Sequence, residues 1–171
     1  MLREATEDDA ERIAELHIAS WRRTYRRELP ADFLDTLDVG ARTASWQEQL
    51  RQGITVLLAE DGPELTGFVA CGPVREAESS CGVWRIYTLH VSLRRQRQGI
   101  GSMLFRRAVE LGREQRAAEL ILWVVDSNSG ARAFYELKGM EWDGGQQERT
   151  VGEDHRLHTV RYRMSLSGGS L

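Results

Sequence analysis

Residues Arg94 to Phe105 read RRQRQGIGSMLF, a basic run that ends in Gly99-Ile100-Gly101 and is followed by apolar helix formers. Three chemistries suit such a pattern: a nucleic-acid arm, a dinucleotide loop, or a cradle for another phosphate. A strand, a tight turn and a helix start make an anion site, because the first backbone N–H groups of a helix lack partners and the helix dipole adds partial positive charge. Glycine at 99 and 101 removes the β-carbons that would hold a phosphate away, and Arg94, Arg95 and Arg97 raise the local potential. A P-loop needs G-x-x-x-x-G-K-[ST]; here Ser102 follows Gly101 directly and no lysine is near, which argues against a nucleoside triphosphate. The dinucleotide fingerprint G-x-G-x-x-G/A fits Gly99 and Gly101 but meets Leu104 at its third place. Asp126 stands roughly where a ribose-binding acid belongs, yet the turn follows a hairpin sheet rather than a first parallel strand.

The whole chain narrows the choice. Its 171 residues suffice for one domain with a real core. A formal net charge of -3 is not the basic balance of a nucleic-acid module, so the arginines form a local patch and no nucleic-acid partner is expected. The opening MLREATEDDAERIAEL is charged and amphipathic, unlike a signal or transit peptide, and no apolar run approaches bilayer length. A cytoplasmic protein without a membrane partner is the expectation. Cys71 and Cys81 show neither metal-ligand spacing nor a C-x-x-C pair, so no metal is expected. They read as small buried hydrophobes; a disulfide would need their strands to pair, and cytosolic redox poise opposes it.

The elements that must position the Gly-rich turn follow from periodicity and punctuation. Leu2 to Ala5 forms a short strand. Thr6 with Asp9 three residues later signals a helix start, and Ala10, Ile13, Ala14, His17, Trp21 and Tyr25 then share one helix face. Pro30 opens a second helical stretch from Ala31 to about Gln52, broken near Gly40 and ended by Gly53. Residues 54–60 and 65–74 form a hairpin around Asp61-Gly62-Pro63, and residues 83–91 form the next strand after a polar loop. A helix from about Gly101 to Gln115 follows the turn. LILWVV, 120–125, is a continuous apolar run suited to a sheet centre. Ser129 to Leu137 is a short helix ended by Gly139. Met140-Glu141-Trp142 and Leu157 to Leu166 form a final hairpin around a polar loop. Residues 1–166 thus read as one domain with a flexible tail, 167–171, and the class is mixed α/β with a central crossover.

At this point the residues carry a family resemblance. Gln96-Arg97-Gln98-Gly99-Ile100-Gly101 resembles the Q/R-x-x-G-x-G/A motif of the GNAT superfamily of acetyl-CoA-dependent N-acetyltransferases. Leu89-His90-Val91 resembles the strand end before that motif, with Leu93 where a proline is common. Asn128 to Met140, NSGARAFYELKGM, resembles the family's N-x-x-A-x-x-F-Y-x-x-x-G-F segment, with Met140 for the usual phenylalanine. The resemblance covers about residues 2 to 166. It implies a mostly antiparallel α+β sheet of about six to seven strands, splayed centrally, with helices on both faces. Acetyl-CoA would lie in a wedge between the strands ending at Val91 and Val125. The backbone of Leu89, His90 and Val91 would bond its pantetheine, the N–H groups of Arg97, Gln98, Gly99, Ile100, Gly101 and Ser102 its pyrophosphate, and Asn128 would touch the pantetheine or order the next helix.

The implied reaction moves an acetyl group from the thioester to a primary amine by direct attack in a ternary complex. The amine must be neutral, the oxyanion needs donors, and the leaving thiolate needs a proton. A backbone N–H near Leu89 or His90 would serve the oxyanion. Tyr135 matches the family's general acid, and a phenol of pKa about 10 is protonated at pH 7; on residue type alone it reads as an aromatic packed under a helix, and the register of the Asn128-to-Gly139 segment favours the acid. In some members a strand glutamate is the base, but the matching residue is Arg85, which cannot accept a proton. His90 reads as a half-buried strand histidine, and Glu76 and Glu78 as solvated loop carboxylates. Trp21 and Tyr25, four apart with His17, either fill the core or wall an acceptor pocket; Asp32, Asp35 and Asp38 read as a solvated acidic face. Trp84 and Trp123 read as packing residues. The acceptor class stays open between a small-molecule amine and a peptide or protein amine, and a homodimer stays open as well. The competing reading is a non-catalytic acyl-CoA-binding sensor of the same fold.

Overall fold

The computed structural model describes residues 1–74 and 82–167. Glu76, Glu78, Cys81 and the tail from residue 168 onward lie outside the described residues. The elements are β1 (Leu2–Glu4), α1 (Ala10–Thr24), α2 (Ala31–Asp35), α3 (Val39–Arg51), β2 (Thr55–Asp61), β3 (Glu64–Pro73), β4 (Val83–Val91), α4 (Ile100–Glu114), β5 (Glu119–Val125), α5 (Ser129–Leu137), β6 (Glu141–Val151) and β7 (His155–Ser165). The strands are hydrogen-bonded in the order β1-β2-β3-β4-β5-β7-β6. β4 and β5 run parallel over Val83–Ile86 and Glu119–Leu122, whereas β1 with β2, β2 with β3, β5 with β7 and β7 with β6 are antiparallel. This is the mixed, mostly antiparallel α/β sheet expected. The chain divides into two compact units, Met1–Cys71 with Thr88–Ala108, and Gly72–Tyr87 with Val109–Leu171.

In the first unit, the start of α1 is built as its residues dictate. The Asp9 carboxylate accepts the Thr6 N–H at 2.9 Å, closing a short 3-10 turn ahead of the α-helix. Asp9 also holds Arg3 by two bonds of 2.8 and 2.6 Å, and Arg3 reaches Glu60 at 2.8 Å. The Arg3 guanidinium keeps the Asp9 carboxyl down at about 2 against its burial. One face of α1 buries Ala10, Ile13, Ala14, His17, Ile18 and Trp21, and Ala10, Ile13 and Ala14 pack with Trp46 of α3 and Val56, Leu58, Phe68 and Ala70 of β2 and β3.

The expected break near Gly40 lies earlier. Asp38 is extended and its Oδ1 accepts the Ala41 N–H at 2.7 Å, so it caps α3 and leaves α2 a separate short helix. Gly40 lies inside the first turn of α3. Gly53, at φ +82°, closes that helix as expected.

In the second unit, Leu120, Leu122, Val124 and Val125 of β5 are buried, and all of β5 pairs with β7. Trp84 is buried, and the Arg161 guanidinium lies over the Trp123 ring at 5.6 Å. The final hairpin is longer than the apolar pattern suggests. β6 and β7 turn at Gly152, so most of the expected polar loop is strand. β6 ends the strand order and needs no apolar face; its backbone pairs with β7 across an irregularity between Trp142 and Gln146.

Candidate functional site

The end of β4 and the start of α4 lie in the first unit, as does the Gly-rich turn between them. After Val91, Ser92 is tied back to β3 by its N–H on the Thr66 carbonyl at 2.8 Å, and Leu93–Arg95 make one 3-10 turn. Arg97 and Gly99 then adopt left-handed conformations at φ +60° and +83°. Left-handed residues in a turn are one ingredient from which anion-binding nests are built. The first intrahelical bond of α4 is Met103 N–H to the Gly99 carbonyl at 3.0 Å, so the N–H groups of Ile100, Gly101 and Ser102 face out of the helix start.

The three arginines of the turn divide their work. Arg95 is committed to the β2–β3 turn, bonded to Glu64 and 3.1 Å from Asp61. Arg94 and Arg97 are exposed. Gln98 donates to the Arg94 carbonyl at 3.3 Å and Gln96 to the Val91 carbonyl at 3.5 Å, bracing the loop from within.

This loop is seated by a residue the sequence singles out only as a strand glycine. A β-carbon on Gly67 would stand 2.9 Å from the His90 carbonyl oxygen, 3.1 Å from Ile100 Cγ2 and 3.1 Å from Leu104 Cδ1. Glycine inside a strand marks such a close approach, and here it lets β3 carry both the end of β4 and the first turn of α4.

The His90 side chain lies among α1, α3 and β3. Its Nδ1 is 2.7 Å from Ser20 Oγ, and its ring lies 4.8 Å from that of His17 and 5.5 Å from that of Phe68. His17 Nδ1 in turn accepts the Trp46 indole N–H at 3.3 Å, which fixes His17 as neutral. Burial, then the charge of Arg42, pulls His90 down to about 4, so it too is neutral at pH 7. A conjugate acid that strong makes a weak proton acceptor, which fits the structural reading of His90 rather than a base. Trp21 is buried, with Tyr25 edge-on at 4.9 Å and the Arg42 guanidinium 5.8 Å above its ring; Tyr25 stays partly exposed. Leu89, His90, Val91, residues 96–102, Trp21 and Tyr25 thus fall in one unit. Sequence pattern reveals neither Ser20 nor Arg42, because their neighbours come from distant elements.

Asn128 and Tyr135 belong to the second unit. Asn128 Oδ1 accepts the Ala131 N–H at 3.1 Å, so the side chain caps α5, one of its two expected roles. Tyr135 is buried near the end of that helix, beside the Phe134 ring, and its carbonyl accepts the Met140 N–H at 3.1 Å across Gly139. The Arg85 guanidinium lies 5.0 Å over the Tyr87 ring. Asp126 is bound by Arg132 at 2.5 Å, which ties it to α5. Among the described residues no group of three or more metal-ligating side chains gathers, and no helix is long and apolar enough to cross a membrane.

Residues 10–140 match the model of the Acetyltransferase (GNAT) family. The uncharacterized N-acetyltransferase YuaI of Bacillus subtilis is 32% identical over 141 residues, covering 82% of this chain and 79% of its own length. Among solved structures, the ribosomal-protein-alanine N-acetyltransferase of Brucella melitensis aligns at TM-score 0.75 with 23% identity, over 96% of this chain and 99% of its own. YncA of Salmonella typhimurium, solved with its cofactor acetyl-CoA, aligns at TM-score 0.74 with 17% identity, over 100% of this chain and 96% of its own. With the family model and the curated relative each spanning most of the chain, this protein is an acyltransferase that belongs to the GNAT acetyltransferase family.

Proposed function

We propose that this enzyme moves the acetyl group of acetyl-CoA to a primary amine by direct attack, without an acyl-enzyme. The observation that carries the proposal is the turn between β4 and the N-terminus of α4, with Arg97 and Gly99 left-handed in it. The unpartnered N–H groups of a helix start, with the positive end of its dipole, would bond a pyrophosphate there. The pairing of β4 with β5 covers Val83–Ile86 of β4, and backbone groups at Leu89 to Val91 would bond the pantetheine as a neighbouring strand does, one N–H holding the oxyanion. The amine nitrogen bonds to the thioester carbonyl carbon, the C–S bond breaks, and Tyr135 gives its phenolic proton to the departing CoA sulfur. The amine loses its proton to solvent, and solvent returns one to the Tyr135 phenolate, so the enzyme ends unchanged. A dedicated base is not required for an α-amine, whose pKa of about 8 leaves roughly a tenth neutral at pH 7.

Calorimetry with acetyl-CoA tests the reading. One-to-one binding is expected, weakened at least tenfold by Gly99→Val, because a β-branched side chain cannot hold φ +83° without strain and would crowd the phosphate. Equal affinity of wild type and variant would remove this turn as the cradle. Binding with no CoA release across an amine panel would favour the sensor.

A further inference from the structure

The second unit contains a polar assembly that the reaction above does not use. Tyr162, on β7, is fully buried, yet its hydroxyl meets two side chains of α5. It donates to Glu136 Oε1 at 2.6 Å and accepts from Arg132 Nε at 3.1 Å. Arg132 also reaches back to the end of β5, donating to the Asp126 side chain at 2.5 Å and to its carbonyl at 3.2 Å. Burial and the Glu136 carboxylate push the Tyr162 phenol up, and the Tyr162 bond pushes the Arg132 guanidinium up. Both stay in the protonated forms that the bonds need.

The geometry of α5 gives this assembly a use. Arg132 and Glu136 are four residues apart and share one helix face, so a single phenol gripping both opposes rotation of the helix about its axis. Tyr135 immediately precedes Glu136 and follows Arg132 by three. Its hydroxyl stands roughly 8 Å from the helix axis, so a roll of about 10° displaces it by more than 1 Å. Apolar packing tolerates such a roll far better than two directional hydrogen bonds do. Displacements of that size at a proton donor are costly, about a hundredfold in unfavourable cases.

We propose that Tyr162, with Arg132 and Glu136, is a positioning clamp that sets the roll of α5 and so aims the Tyr135 hydroxyl at the CoA sulfur. The inference rests on Tyr135 being the acid. Its test must therefore separate failure of the clamp from failure of that assignment.

The probe is CoA carbon-13-labelled at the methylene beside sulfur, titrated by NMR while bound to the full-length enzyme. A hydrogen bond from Tyr135 stabilises the bound thiolate and lowers the apparent pKa of the thiol. Tyr135→Phe is expected to lower the thiolate-to-thiol ratio at fixed pH about tenfold, one pKa unit. Tyr162→Phe is expected to reproduce several-fold of that loss with CoA affinity within about twofold of wild type. The double variant should be no worse than Tyr135→Phe alone, because non-additivity marks residues acting through one another. Glu136 is exposed, so Glu136→Ala supplies the same expected loss without threatening the fold if Tyr162→Phe proves unstable.

A Tyr135→Phe shift with no change in Tyr162→Phe or Glu136→Ala overturns the clamp alone. An added penalty in the double variant overturns it as well. No shift in Tyr135→Phe overturns the acid and the clamp with it. Failure of CoA to bind overturns the cosubstrate reading beneath both.

Discussion

Gly67→Ala is the most direct probe of how the fold carries the phosphate cradle. The new methyl would sit 2.9 Å from the His90 carbonyl oxygen and 3.1 Å from atoms of Ile100 and Leu104. Carbon contacts are optimal at about 3.5–4.0 Å, so each neighbour must retreat by a few tenths of an ångström or more. Ile100 and Leu104 can yield by rotating their side chains. The His90 carbonyl is backbone and can move only with the end of β4. Overpacking of this kind costs about 1–3 kcal/mol, and the backbone clash places it near 2 kcal/mol. For a chain of this size that is a fall in Tm of roughly 4–8 °C. The atoms that retreat belong to the end of β4 and the first turn of α4, so acetyl-CoA affinity should fall too, by about fivefold for 1 kcal/mol. Thermal unfolding followed by circular dichroism and calorimetry with acetyl-CoA measure the two effects on one sample. A Tm within about 1 °C of wild type would refute the packing argument. Lost stability with unchanged affinity would show that β3 does not brace the cradle.

Two further predictions concern pH. His90 is held neutral with a pKa of about 4, whereas an unfolded histidine titrates near 6.5. The unfolded state therefore binds the proton first, so this site's stability is full above about pH 6.5 and drains as pH falls toward 4. His90→Gln should flatten the Tm curve across that window, by about 3 kcal/mol at most; an unchanged slope would mean the ring is not desolvated. Asp9 acts lower, its pKa held at about 2 first by the Arg3 bond. Its contribution is present above about pH 4 and lost as pH falls toward 2, so Asp9→Asn should cost roughly 2 kcal/mol at neutral pH and little in acid. Equal losses in urea unfolding at pH 7 and in strong acid would exclude that linkage.

The elements around the cradle were legible because local signals agreed there. The β4 run ends at Val91, the glycines punctuate, and the apolar spacing of α4 begins at once. Thr6 with Asp9, and Gly53 and Gly139 at helix ends, were equally local. The α2–α3 break falls before Asp38, whose capping side chain is a better signal than the mid-helix Gly40. Most of β6 was hidden because its side chains are exposed and polar; only pairing with β7 makes it a strand. Gly67 carried a weak signal, an isolated glycine in a strand. The Ser20–His90 bond and the clamp of Tyr162 on α5 carried none, since each joins residues far apart in the chain, and no spacing rule reaches across β4 to α1 or from β7 to α5.

β6 has a consequence for how the molecule behaves in a crowd. An edge strand displays unpaired amide and carbonyl groups, a template on which another chain can build a cross-strand pairing. Here that rim is made inhospitable. Its register slips between Trp142 and Gln146, around a left-handed Gly144, and the exposed Glu141, Glu148 and Arg149 line its length. The polarity that concealed this strand from a reader of the sequence conceals it equally from stray polypeptide. Its composition thus guards the chain against aggregation.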